Sequence, residues 1–326
     1  MKVWETFLKS INRNNLVKPA DKVLLAISGG TDSMCMFDLF RRLSKKVNME
    51  LLAATFDHGL RKESIKESKM VKNFSKKFNI ECISEKIDVK KYAKEKGVSI
   101  ETAGRNLRYE NLEKIAVKHK CSKIATAHNA NDNAETVLMW LLRGSGSFTG
   151  IPQIRRLSKK VEIIRPILNI KRKDIENYVK KQKIPFCIDK SNFSDKYTRN
   201  RIRKSIIPTF EKINPSALDH IFLLNKIQER ESAYLEEKSI NFLKKCVKAS
   251  KNRILLDLTS FLRYNEAIRF RILKMVIPDK KYAFQINEIM DRILAKEHSV
   301  YKISGEWRFR INAGNKAFFE RQRVKE

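Results

Sequence analysis

An apolar run, Val23-Leu24-Leu25-Ala26-Ile27, passes directly into Ser28-Gly29-Gly30-Thr31-Asp32-Ser33 and then into Met34-Cys35-Met36-Phe37-Asp38-Leu39-Phe40. This succession predicts a buried strand, a glycine turn and a helix. Paired glycines allow positive φ and close approach of the main chain to a ligand. A helix start offers unpaired N–H groups and the positive end of the helix dipole. Together these make a phosphate cradle. The hydroxyls of Ser28 and Ser33 add hydrogen bonds to phosphate oxygens, and Asp32 is placed to hold a Mg²⁺ beside them.

Two better-known phosphate loops are excluded. A Walker A loop needs Gly-x4-Gly-Lys-Ser/Thr, and no lysine occupies this turn. A dinucleotide fingerprint needs Gly-x-Gly-x-x-Gly, and no third glycine arrives before Gly59. The bland alternative is a chance glycine turn between a strand and a helix.

With 326 residues, 42% of them hydrophobic, the chain is expected to fold into two domains with a sizeable core. Lys and Arg number 69 against 37 Asp and Glu, a net charge of +32. An excess of that size implies a polyanionic partner, nucleic acid above all. A lysine-rich composition with solvated faces accounts for part of it. Five cysteines stand at 35, 82, 121, 187 and 246 without a Cys-x-x-Cys pair. They read as small apolar residues in a reducing compartment rather than zinc or iron–sulfur ligands. No apolar run reaches membrane-spanning length and the start lacks a signal-peptide pattern, so a soluble, cytoplasmic protein without a membrane partner is expected.

Strands are predicted at 23–27, 51–56, 81–87, 123–127 and 161–164, with helices between them at 64–78, 102–119 and 134–142. Alternating β and α units imply an α/β domain: a parallel sheet covered on both faces. Ligands in such sheets bind beyond the carboxyl ends of the strands. The glycine turn, Asp57-His58 and Ala127-His128 all fall at such ends. Asn214-Pro215 marks a boundary, an N-cap followed by a first-turn proline. The predicted division is a catalytic domain over 1–213, a linker helix over 214–248 and a small α+β domain over 249–326. In the last, helices at 269–276 and 284–294 precede an antiparallel sheet at 299–303, 307–311 and 316–319, turning at Gly305 and Gly314.

Three further segments carry chemistry. In Ala127-His128-Asn129-Ala130-Asn131-Asp132-Asn133-Ala134-Glu135-Thr136, Asp132 and Glu135 are three apart and share one side of a helix. They suit metal holding, amine binding or general base work; helix capping is the plain alternative. In Ala103-Gly104-Arg105-Asn106-Leu107-Arg108-Tyr109, Arg105 and Arg108 could clamp phosphate, or simply pair on the surface. In Tyr197-Thr198-Arg199-Asn200-Arg201-Ile202-Arg203-Lys204, four basic residues within six suit RNA phosphates or an activated phosphoryl group. A solvated charge run is the alternative there.

The Ser-Gly-Gly-x-Asp-Ser loop is the signature of the PP-loop ATP pyrophosphatases, which split ATP between the α- and β-phosphates. The four segments together resemble the tRNA(Ile)-lysidine synthetases within that superfamily. Phe56-Asp57-His58-Gly59-Leu60-Arg61, the Ala-Gly-Arg-x-x-Arg-Tyr segment, His128 to Thr136, Gly144-Ser145-Gly146 through Gly150-Ile151-Pro152 and Arg-Asn-Arg-Ile-Arg carry the likeness. It is specific over roughly 20–210 and architectural beyond Asn214. The chain departs from the pattern at Asn129, where relatives often have a second histidine, and at Asn131-Asp132, where others have Asp-Asp. Asn129 and Asn131 are therefore poor candidates for acid–base roles.

The resemblance implies two steps. The C2 oxygen of the wobble cytidine in a CAU-anticodon isoleucine tRNA attacks the ATP α-phosphate and pyrophosphate leaves. The ε-amine of free L-lysine then attacks C2 and AMP leaves. Ser28, Gly29, Gly30, Thr31, Asp32 and Ser33 would hold ATP, with His58 and His128 lining the nucleotide pocket. Mg²⁺ would sit on Asp32, shared with Asp132. Arg105 with the Arg201 and Arg203 region would stabilise charge at the α-phosphate; Arg108 and Asn200 would join them on tRNA phosphates. Only about one lysine amine in two thousand is neutral at pH 7, so a base is needed. Asp132 is the first candidate and Glu135 the second. The small domain would grip the acceptor stem, and a homodimer is an assembly found among such relatives. The competing expectations are a PP-loop tRNA thiolase, a non-catalytic RNA-binding protein, and an amide-forming ligase, for which no glutaminase domain is visible.

Overall fold

The structure is a computed structural model that describes residues 2–57, 63–144, 149–187, 198–250, 252–277, 283–304, 306–312 and 314–321. It divides into two units, residues 1–136 with 150–222 and residues 137–149 with 223–326.

The first unit is built in chain order from α1 (Lys2–Arg13), β1 (Lys22–Ala26), α2 (Thr31–Ser44), β2 (Glu50–Asp57), α3 (Glu63–Lys76), β3 (Glu81–Lys86), α4 (Val89–Lys96), α5 (Ile100–Lys118) and β4 (Lys123–Ala125). There follow the first part of α6 (Ala130–Leu142), to residue 136, then β5 (Ile154–Arg156), β6 (Glu162–Ile164), α7 (Arg172–Lys181), α8 (Thr198–Arg201), a π-helical turn Ile202–Ile206 and α9 (Ile207–Ile213). The sheet order is β3-β2-β1-β4-β6-β5. All pairings are parallel except β5 with β6, an antiparallel edge that periodicity does not predict. Ile154-Arg155-Arg156 is short and charged, and its pairing comes from the neighbouring strand rather than from its own pattern.

Side chains alternate across β1 and so fasten a helical layer to each face. Val23 and Leu25 pack with Phe7 and Ile11 of α1, Phe37 and Phe40 of α2 and Val179 of α7. Leu24 points the other way, to Tyr109, Leu112 and Ala116 of α5. Burying such a side chain stabilises by about 1.5–3 kcal/mol. Ser99 caps α5 by accepting the Thr102 N–H at 3.2 Å. The order reverses between β1 and β4, since β2 lies on one side of β1 and β4 on the other. Crevices at such switch points are where doubly wound sheets take ligands.

The second unit contains most of α10 (Ala217–Cys246), then β7 (Val247–Ala249), β8 (Arg253–Asp257), α11 (Leu258–Phe261), α12 (Glu266–Val276), α13 (Ala283–Leu294), β9 (Tyr301–Ser304), β10 (Trp307–Asn312) and β11 (Lys316–Arg321). Its sheet runs β7-β8-β11-β10-β9 with antiparallel pairing throughout. Phe309, Phe319 and Ile289 form its core. Two more strands, β7 and β8, enter this sheet than the sequence pattern predicts. The turn expected at Gly305 lies outside the described residues. Among the described residues no helix is long and apolar enough to cross a membrane.

Candidate nucleotide and phosphate site

The glycine turn leaves β1 at the switch point. Gly29 has φ +85°, and Gly30 is the N-cap of α2 in extended conformation. The Ser33 hydroxyl donates to the Gly30 carbonyl at 2.9 Å and lies 3.2 Å from the Ser28 hydroxyl. The Met34 N–H closes onto the Gly30 carbonyl, so the amides of Thr31, Asp32 and Ser33 precede the first closed turn, where helix amides have no intrahelical acceptor. The Cys187 N–H binds the Gly29 carbonyl at 2.9 Å and anchors the turn from outside. A Cβ on Gly29 would meet Met70 Cε at 3.3 Å, on a backbone that side chains disfavour. Gly29→Ala is expected to destabilise the protein by about 1–3 kcal/mol. It should also weaken ATP binding at least tenfold, read by denaturant melts and nucleotide titration.

β4 lies beside β1 and delivers the second segment. The Asn129 and Asp132 backbone amides and side chains bond reciprocally: Asn129 N–H to Asp132 Oδ2 at 3.1 Å, Asp132 N–H to Asn129 Oδ1 at 3.0 Å. This is the geometry of a capping box, so Asp132 does cap the helix. Its other oxygen faces guanidinium groups, Arg172 Nη2 at 3.2 Å and Arg199 and Arg203 Nη2 at 3.5 Å each. Glu135 is 0% exposed. It accepts from Arg199 Nε at 2.7 Å and from Arg203 Nε and Nη2 at 2.6 and 2.9 Å, with Arg172 Nη1 at 4.0 Å.

Asp32 completes the cluster. Burial pushes its carboxyl up to about 6, and the Asp132 charge adds to the rise. Arg172, Arg203 and the Asn129 side chain pull the other way. Asp32 Oδ1 is buried without a hydrogen-bond partner. An under-compensated carboxylate beside a second one, at the mouth of a phosphate cradle, fits a divalent cation shared with phosphate oxygens. His128 is held neutral: burial pushes its ring well below the ordinary histidine range, and Arg165, Arg108, Arg199 and Arg105 add to the effect. Its Nδ1 is 3.1 Å from Thr126 Oγ1.

Against this geometry the comparisons are decisive. A family model described as a PP-loop domain matches residues 2–210. The chain belongs to the PP-loop family. The tRNA(Ile)-lysidine synthase of Thermosipho africanus is 47% identical to it over 211 residues, 65% of this chain and 49% of that protein. The tRNA(Ile)-lysidine synthase of Clostridium tetani is 35% identical over 272 residues, 83% of this chain and 58% of that protein. The chain thus spans between about half and about three fifths of the length of these curated relatives. Among solved structures, a U34-tRNA thiolase from Methanococcus maripaludis superposes with a TM-score of 0.60 at 20% identity, covering 69% of this chain and 77% of that one. At that identity the likeness establishes the fold.

In this PP-loop protein the predicted site residues separate into groups. Ser28 to Ser33, Asp132, Glu135 and Arg203 come together. Arg105 is exposed and Arg108 half-buried, both on α5 around the Tyr109 ring. Arg201 is exposed, although it stands in sequence between Arg199 and Arg203, which hold the two carboxylates; Asn200 is half-buried. His58 and Tyr197 lie outside the described residues, as do Ser145 and Gly146. Cys35, Cys121 and Cys246 are buried, and Cys82 and Cys187 half-buried. Arg172 escapes the sequence reading, as does the role of Arg199. The latter has a signal: Arg199 and Arg203 stand at i and i+4, the spacing of one helix face.

Proposed function

We propose that the chain attaches L-lysine to C2 of the wobble cytidine in CAU-anticodon tRNA(Ile), through an adenylated tRNA intermediate, releasing pyrophosphate and AMP. One observation carries the reading: the glycine turn, Asp32 and the Asp132–Glu135–arginine cluster meet at a single switch point in a chain closely similar to lysidine synthases. The main-chain amides of the turn grip the triphosphate. Asp32 and Asp132 would hold Mg²⁺, which when bound offsets charge on the phosphates. Arg203, Arg199 and Arg172 supply positive charge toward the α-phosphate. Glu135, enclosed by these guanidiniums, acts as the positioning residue that fixes their directions. Asp132, capped on one oxygen and faced by guanidiniums on the other, retains 13% side-chain exposure and is the group offered to the lysine amine. His128, uncharged, lines the nucleotide pocket. The second unit, over 223–326, would grip the tRNA body, in keeping with the net charge of +32.

A sulfur-inserting reaction would call on thiols, and three of the five cysteines are packed in the cores. The direct test is incubation with total tRNA, ATP and labelled lysine, followed by nucleoside analysis. Label in a modified cytidine is the expected result; ATP cleavage without lysine incorporation would overturn the assignment. Asp132→Asn is expected to slow lysine transfer more than adenylation. Trapping of adenylated tRNA in single turnover checks this, and equal loss of both steps would remove Asp132 from amine handling.

A further inference from the structure

Helix α7 opens without a cap from its own chain segment. Lys171 holds the cap position in extended conformation and makes no side-chain cap hydrogen bond, since an ammonium has no acceptor to offer. The acceptor comes from another helix. Asn131 Oδ1, in the first turn of α6, takes the Arg172 N–H at 2.9 Å across 41 positions. Beside it the Ala130 N–H donates to the Ile170 carbonyl at 3.0 Å. Asp132, the residue after Asn131, takes Nη2 of the same arginine at 3.2 Å. Consecutive residues of α6 thus hold the main chain and the side chain of Arg172.

A second attachment fixes α7 further along. The Tyr178 hydroxyl donates to Asp38 Oδ2 at 2.6 Å, and Arg42 Nη1 donates to the Tyr178 oxygen at 2.9 Å; both partners lie on α2. Asp38 is 4% exposed, and its other oxygen is taken by Arg41. From Arg172 to Tyr178 is about 9 Å along the axis, at about 1.5 Å per residue. A short helix pinned at two points that far apart has its direction set. One pin refers it to α2, whose start is the glycine turn. The other refers it to α6, which carries Asp132 and Glu135. The Arg172 guanidinium comes to rest against these two carboxylates, and its charge also opposes the rise that burial gives Asp32. An amide deprived of its acceptor in this half-buried place would be relieved by fraying or tilting the first turn of α7. A guanidinium displaced by about 1 Å loses much of its effect on a phosphate.

We propose that Asn131 is a positioning residue: it caps α7 from α6 and so aims Arg172 at the phosphates taken by the glycine turn. Its amide has no part in acid–base chemistry and acts through the arginine alone. The effect on ATP binding rests on the PP-loop fold; the effect on turnover rests on the tRNA reading above.

The test is a cycle of Asn131→Leu, Arg172→Gln and the two together in the full chain. It is read as ATP affinity by titration and as pyrophosphate release with total tRNA. Leucine keeps the size of the side chain and removes the acceptor. ATP affinity is expected to fall about tenfold in each single variant and no further in the double one, because both substitutions take away the same guanidinium. Pyrophosphate release should follow the same pattern. Asn131→Asp, which puts an acceptor back at the same reach, should return both readings to within about twofold of wild type, since the two residue types cap equally well. Losses that multiply in the double variant would overturn the proposal. So would wild-type affinity in Asn131→Leu, or a failure of aspartate to restore it. If Asn131→Leu melts without cooperativity, Asn131→Ala carries the same cycle. A wild type that binds ATP but releases no pyrophosphate with tRNA would defeat the tRNA reading, and the cycle is then decided on ATP affinity.

Discussion

Asp32→Asn should leave the ligand-free protein more stable at neutral pH while reducing ATP cleavage by about a thousandfold. The carboxyl is lifted to about 6 from 3.8, chiefly by burial. The folded state therefore holds a proton that the unfolded chain releases more readily. Stability from this group is present at low pH and lost as pH rises from about 4 through 6. Above that window the ionised side chain lowers stability by about 3 kcal/mol, since each tenfold change in proton affinity corresponds to about 1.4 kcal/mol. Asparagine removes the charge and keeps the shape. Melting curves from pH 4 to pH 8 should show wild type and variant converging at the acid end and the variant ahead at the neutral end. A variant less stable than wild type at pH 8 would mean that Asp32 is satisfied within the fold. It would then have no need of a cation or a ligand.

Glu135→Ala should do the reverse, with stability and activity falling together. Its carboxylate is wholly enclosed and receives three hydrogen bonds from Arg199 and Arg203. Removing one partner of a buried ion pair typically lowers stability by about 3–5 kcal/mol, and the lower end is expected here because Arg199 and Arg203 keep Asp132 as a counter-charge and are partly exposed. Arg201→Gln, two residues from either arginine but exposed, should change stability by less than about 0.5 kcal/mol. Denaturant midpoints for the two variants decide the matter. Similar small losses in both would mean that Glu135 does not organise the cluster.

These two carboxylates also show what the sequence makes visible. The cradle is legible because strand, turn and helix are contiguous, and each residue type has a physical reason to be there. Asp132 and Glu135 are legible as a pair, since helical spacing alone puts them on one side. Their partners are not. Arg172 bonds Asp132 across 40 positions and opens a helix that carries no glycine or hydroxyl signature. The basic run at 199–204 shows charge but not direction, which the helix phase decides. Arg155 and Arg165 go unnoticed for a related reason. One is on an edge strand and the other follows a strand end, and only the tertiary fold turns both toward Tyr109.

The π-helical turn at Ile202–Ile206 adds a demand on spacing itself. In an ordinary helix each residue advances the direction of its side chain by about 100°. Arg203 lies within the widened turn and Arg199 just before it, so their shared aim at Glu135 depends on the length of this stretch as much as on its composition. Losing a single residue between them would swing one guanidinium off target, even with every side chain preserved. Evolution and engineering alike should find substitutions here easier to tolerate than a one-residue deletion.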